Sequence, residues 1–239
     1  MALGHLGSAT RNLLFPPACA VCGAPAVEGE LLCPACEGQV EPLGEPVCQV
    51  CGLPGATWRC AACQSDPPPF DAAHALAAHQ GPLAQAVRGF KYQRRYWLGA
   101  GLAAHLGRAP RAWWATADLI APVPLHPRRL VGRGFNQALV LARGLPKGQG
   151  PVLAPRLLRR LRHTRPQVGL APHQRRSNVA GAFGVSPAWQ ERLDGAWVLL
   201  IDDVFTTGAT AAECAGVLKQ AGAARVEVLT LVRATGGKA

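Results

Sequence analysis

The sequence predicts an α/β protein, a parallel sheet covered by helices, with a small cysteine-rich unit ahead of it. Three observations carry that expectation. Eight of the nine cysteines fall between positions 19 and 63, in four C-x-x-C pairs. Beyond residue 69, short apolar runs alternate with stretches of helical periodicity, the pattern of strands joined through helices. One apolar run, Trp197–Ile201, ends in two aspartates and a turn of small, hydroxylated residues. A chain of 239 residues allows one medium domain and a small appendage. Hydrophobic residues make up 49%, which excludes wholesale disorder. No apolar run is long enough to span a membrane, and Met1–His5 lacks the basic start of a signal peptide, so a cytoplasmic protein is expected.

The cysteines define the first unit, expected over residues 13–66. The pairs are Cys19/Cys22, Cys33/Cys36, Cys48/Cys51 and Cys60/Cys63, and the segment repeats: C-A-V-C-G-A-P at 19–25 returns as C-Q-V-C-G-L-P at 48–54. A C-x-x-C turn lets two thiolates converge on one ion, and Gly23 and Gly52 suit turns needing positive φ. Two such turns complete a tetrahedral four-cysteine structural zinc site, so two zinc ions are expected. Disulfides are rare in the expected compartment, and four tandem pairs argue against a redox role. Simple sequential pairing puts 19/22/33/36 on one ion and 48/51/60/63 on the other, while the spacing leaves open an interleaved arrangement with pairs one and three sharing an ion.

Asp66-Pro67-Pro68-Pro69 is a stiff, non-helical joint. The second unit, expected over 70–236, then alternates. Strands are predicted at Ala73–His79, Leu119–Val123, Trp197–Ile201 and Val226–Val232. Helices are predicted at Pro82–Tyr92, Trp97–Leu106, Asn136–Leu145 and Ala209–Ala221. Residues 159–176, rich in arginine, read as a mobile loop. Cys214 sits at helical spacing with Val217 and Leu218 and reads as a packed thiol; Trp113-Trp114 reads as buried packing. The charge divides with the units. Residues 1–66 carry two basic and six acidic side chains, net −4; residues 67–239 carry 23 basic and eight acidic, net +15. The second unit should therefore attract polyanions, either nucleic acid or a phosphorylated small molecule. Its basic clusters are Arg88/Lys91/Arg94/Arg95, Arg128/Arg129/Arg133 and Arg156/Arg159/Arg160/Arg162/Arg165.

The most informative stretch is W-V-L-L-I-D-D-V-F-T-T-G-A-T at 197–210. Its turn offers backbone N–H groups, hydroxyls and the positive end of a helix dipole, which together hold a phosphate monoester. Carboxylates are poor phosphate partners, so Asp202 and Asp203 at the strand exit suit the hydroxyls of a sugar carrying that phosphate. A magnesium ion alongside would offset the repulsion.

The D-D-V-F-T-T-G-A-T run resembles the phosphoribosyl pyrophosphate (PRPP) motif of type I phosphoribosyltransferases. P-V-P-L-H-P (122–127), R-G-F-N-Q-A (133–138), F-K-Y (90–92) and R-x-x-N-V-x-G-A-F (175–183), behind a double zinc ribbon, narrow the resemblance to the ComF family. That resemblance covers about residues 13–233. It implies a phosphoribosyltransferase-like domain, with Mg²⁺ and PRPP as ligands and a role in natural competence, in handling incoming single-stranded DNA, or in using DNA as a nutrient. Competence-machinery proteins such as a DNA helicase are implied partners. Asp202 and Asp203 become the candidate catalytic residues on the ribose hydroxyls. Thr206, Thr207, Gly208, Ala209 and Thr210 would cradle the 5′-phosphate, and the Pro124–Arg129 turn resembles the pyrophosphate loop. Lys91, Leu125, His126, Arg128 and Arg133 complete the candidate PRPP-binding set. Gln174, where an acidic residue is expected, and Arg94 and Arg95, where a Gly-Asp turn is usual, depart from the family pattern. Two other functions fit the same residues: a salvage phosphoribosyltransferase acting on a small base, or a zinc-stabilised adaptor with a non-catalytic PRPP site.

Overall fold

In the computed structural model, residues 16–93, 95–145 and 150–235 are described. Arg94, and positions 13–15 and 236 of the expected unit boundaries, lie outside them. Five parallel strands form the central sheet: β1 (Ala72–Ala78), β2 (Leu119–Pro122), β3 (Val152–Leu153), β6 (Trp197–Phe205) and β7 (Arg225–Arg233), in spatial order β1-β7-β6-β2-β3. A separate antiparallel pair joins β4 (Leu158–Arg160) to β5 (Phe183–Val185). The main helices are α1 (Gly81–Tyr92), α2 (Leu98–Leu106), α3 (Pro127–Arg133), α4 (Gln137–Ala142), α5 (Pro172–Val179) and α6 (Ala209–Gln220).

Strand residues alternate between two cores, as a sheet covered on both faces requires. Leu119, Ala121, Val198, Leu200, Val226 and Val228 face a layer that includes Cys214, Ala215 and Leu218 of α6. Ile120, Leu199, Ile201, Leu229 and Leu231 face the layer built by Leu83, Val87 and Phe90 of α1 and Leu102 of α2. Cys214 and Trp114 are buried, in agreement with their reading as packing residues.

Three elements differ from the expectation. The expected Pro124–Arg129 turn gives way to helix α3 over residues 127–133, with Pro127 in its first turn and the His126 side chain accepting from Arg128 N–H. It buries no residue, so no apolar periodicity marks it. Within 159–176, residues 159–160 belong to β4 and 172–176 to α5, which leaves only 161–171 irregular. Strand β6 runs four residues past Ile201, and its two aspartates hid that extension.

The cysteine-rich unit straddles the sheet edge. Its first cysteines (Cys19, Cys33, Cys36) belong to the α1 face and its second set (Cys48, Cys51, Cys60, Cys63) to the α6 face. The connecting segment passes along β1, where Ala78 N–H donates to Glu41 O at 2.9 Å. A Cβ on Gly52 would lie 2.7 Å from Ala73 O, so glycine (φ +68) permits this approach. Covering β1 in this way also shields an edge strand from unwanted pairing.

Candidate phosphate site and zinc centres

The four C-x-x-C pairs form two clusters, Cys19/Cys22/Cys33/Cys36 and Cys48/Cys51/Cys60/Cys63, with all sulfurs in each within 4.8 Å of one another. Sequential pairing is therefore the arrangement. Cys22 and Cys33 sulfurs lie 3.6 Å apart, as do those of Cys51 and Cys60, close to the roughly 3.8 Å edge of a zinc–thiolate tetrahedron. Backbone N–H groups of Cys51 and Cys60 donate to Cys48 Sγ. Burial pushes the Cys48 thiol up, but these and the Val50 N–H outweigh it and bring it to about 6. Cys19 is brought to about 6 in the same way, so each cluster carries one sulfur readied as thiolate. The donor set fits structural zinc. Buried Arg233 donates to Cys51 Sγ (3.5 Å) and lies 4.6 Å over the Phe205 ring, joining the second cluster to the end of β6.

The phosphate-type turn sits where the topology opens. Strand β2 pairs with β6 only as far as Ile201, while β7 follows β6 to Phe205. From Asp202 onward, one edge of β6 thus faces the segment after β2. The chain leaving β2 goes on to β3 on one side, and that leaving β6 goes to β7 on the other, so this gap is the sheet's switch point, where α/β sheets bind ligands. Gly208, at φ +77, starts α6; a Cβ there would lie 2.7 Å from Phe205 Cζ. The α6 N-terminus carries Ala209 and Thr210. Among the described residues, nothing hydrogen-bonds the hydroxyls of Thr206 and Thr207, whereas Thr210 Oγ1 accepts from Gln167 Nε2 at 2.8 Å.

Asp202 and Asp203 are adjacent in a strand and so address opposite faces. Asp203 is buried, and its Oδ1 accepts from Lys91 Nζ at 2.8 Å. Its Oδ2 is buried with no partner among the described residues. Burial lowers the Lys91 ammonium, but the Asp203 and Asp202 carboxylates outweigh this and hold it above its usual range. Burial, then the Asp203 charge, pushes Asp202 up to about 7. Two carboxylates at the exit of β6, one of them with an unsatisfied buried oxygen, fit sugar hydroxyls or a hard cation.

Of the expected ligand residues, Lys91 therefore joins the aspartates. His126 stacks edge-on with His163 (5.1 Å) beside Arg129 and Arg160. Arg129 Nη2 donates to Thr164 O (2.7 Å), and Arg160 Nη2 to Thr164 Oγ1 (2.6 Å). Arg133 instead lies 6.0 Å over the Tyr92 ring, Arg128 is exposed and Leu125 is half-buried. No described contact ties those three to the 206–210 turn. Sequence reasoning missed that Arg129 and Arg160 meet on Thr164, and that Gln167 of the same loop reaches Thr210. Asn178 shows the signal that was available: it pins the loop through Arg165, its Oδ1 accepting from Arg165 N–H and its Nδ2 donating to Arg165 O. The loop thus reaches from the 126–129 turn to the phosphate-type turn. The arginine cluster at 156–165 is not one free patch, since Arg162 donates to Ala180 O and Asn178 O and Arg160 turns inward over Phe183. Gln174 Oε1 accepts from Ala171 N–H and helps start α5.

Comparison with known proteins bears on this geometry. The double zinc ribbon domain family matches residues 10–65. Competence protein F of Haemophilus influenzae is 32% identical over 210 residues, covering 85% of this chain and 90% of that protein. The chain belongs to the ComF family. DNA utilization protein YhgH of Salmonella typhimurium is 33% identical over 229 residues, 92% of this chain and 99% of that one. YhgH of Escherichia coli K12 is 30% identical over 231 residues, with the same coverages. The Bacillus subtilis glutamine PRPP amidotransferase superimposes at TM-score 0.34 and 19% identity, over 54% of this ComF-family chain and 25% of the enzyme. A match that loose carries no argument, and this chain spans only a quarter of that enzyme's length. Among the described residues, no helix is long and apolar enough to cross a membrane.

Proposed function

We propose that this ComF-family protein binds PRPP with magnesium at the β6–α6 turn and serves competence or DNA utilization by handling incoming single-stranded DNA. The observation that carries the reading is the open turn. A helix N-terminus with a left-handed glycine and two threonine hydroxyls unbonded among the described residues sits at the switch point, beside the two aspartates. In this reading Thr206–Thr210 take the 5′-phosphate, with backbone N–H groups and the α6 dipole supplying the positive field. Asp202 and the free Oδ2 of Asp203 take the ribose hydroxyls. Arg129, Arg160 and His126 face the pyrophosphate side. Magnesium, held by a carboxylate and the pyrophosphate, would neutralise charge on the leaving group. The names of the relatives, a competence protein and DNA utilization proteins, support the DNA part, as does the net +15 of residues 67–239.

The deciding experiment supplies magnesium, PRPP and either single-stranded DNA or free bases, and measures pyrophosphate release and PRPP occupancy. The reading expects PRPP to bind. Pyrophosphate released with a free base would move the protein to the salvage reading. No binding of PRPP at millimolar concentration would end the PRPP reading.

A further inference from the structure

A second site lies away from the phosphate turn, where the first zinc cluster meets helix α1. There an open groove of about 390 Å³ is walled on one side by Ala20 and Val21, the residues between zinc ligands Cys19 and Cys22. Arg88, Tyr92 and Arg95 form the other wall. Arg88 and Tyr92 stand four residues apart on α1 and share one helix face. Arg95 Nη1 donates to Ala20 O (3.3 Å), which fixes the wall against the helix. No acidic side chain among the described residues pairs with Arg88 or Arg95. Large rings cluster in the same segment and face solvent: Tyr92 is 59% exposed, Tyr96 48% and Trp97 71%. Tyr96 is held in place edge-on against Phe135, at 5.3 Å. The Arg133 guanidinium lies over Tyr92 and adds a further charge.

We infer that this groove is a stacking site for single-stranded polynucleotide, its phosphates on Arg88 and Arg95 and a base on Tyr92. Unpaired arginines alternating with exposed aromatic rings suit a strand whose bases are unstacked and whose backbone is anionic. Duplex DNA keeps its base faces covered and gains only the charge term. The groove gives the first zinc cluster a direct purpose, since its Cys19–Cys22 turn builds one wall. The inference rests on the reading that the protein handles single-stranded DNA.

The test is fluorescence anisotropy with a labelled oligothymidylate of about 20 nucleotides, titrated from about 50 mM salt upward. Zinc content and thermal melting of each variant show that it is folded. Tyr92→Ala should weaken binding about tenfold, and Tyr92→Phe, which keeps the ring, should bind like wild type. Arg88→Gln should flatten the slope of log K against log salt by about 0.7. Duplex of the same length should bind less tightly. If wild type binds while Tyr92→Ala and Arg88→Gln match it, and Arg156→Gln/Arg159→Gln does not, the strand lies elsewhere and the groove proposal falls alone. Equal loss in Tyr92→Phe and Tyr92→Ala overturns stacking. No binding by wild type overturns the groove together with the DNA reading, leaving PRPP binding to be judged by its own titration.

Discussion

Asp202 is held against its own chemistry. Its carboxyl is raised from an ordinary 3.8 to about 7 by burial and by the neighbouring Asp203 charge. A group raised in this way binds its proton more readily folded than unfolded. The cost of ionising it is absent below about pH 4, grows as pH rises, and is complete above about pH 7. Asp202→Asn should therefore stabilise the free protein at pH 8, by about 2 kcal/mol once partial exposure is discounted, and leave it unchanged at pH 4. Urea unfolding at the two pH values checks this; equal effects at both would show that the carboxylate carries no such strain. The two aspartates were legible in the sequence because carboxylates at the end of an apolar run are conspicuous. Their partner was less so: Lys91 lies 112 residues away, and only the packing of α1 brings it to Asp203.

At the scale of elements, the apolar runs at 119–123, 197–201 and 226–232 marked their strands because both sheet faces are covered. The β4–β5 pair was not legible. Its strands are three residues each, separated by a 22-residue excursion, with no hairpin turn between them. Helix α3 was equally hidden, since it carries three arginines, exposes Leu130 and Val131, and has no buried face. These two elements carry Arg129 and Arg160, which is why the network over the site could not be read from spacing. The β6–α6 turn, by contrast, is fixed by Gly208. Gly208→Ala puts a side chain at φ +77 and 2.7 Å from Phe205 Cζ. It should cost about 1–3 kcal/mol of stability and also weaken phosphate binding. A variant with wild-type melting and affinity would show that the turn tolerates a shift of Phe205.

At the scale of the molecule, the cysteine pattern gave the metal, and the proline joint suggested two separate units. The structure shows a closer union. Each zinc cluster belongs to a different face of the sheet, and the strip between them lines β1. A one-dimensional boundary cannot report this, because the contacts run from residues 19–63 to residues 73–101 and 233 through space. Zinc sites of this kind contribute folding free energy directly. Chelation at neutral pH should therefore lower the melting temperature of the whole chain, by roughly 10 °C or more, in one cooperative transition. A transition of the sheet domain that stays in place after both ions are removed would show that the ribbon is an independent appendage.

The phosphate-type turn stands at the open edge of β6. Its most direct test is calorimetric titration of PRPP with magnesium into wild type, Asp203→Ala and Thr207→Val. Wild type should bind one PRPP per chain, and each substitution should weaken binding by on the order of 1–3 kcal/mol through lost hydrogen bonds. Wild-type affinity in both variants would contradict the account and place the ligand elsewhere.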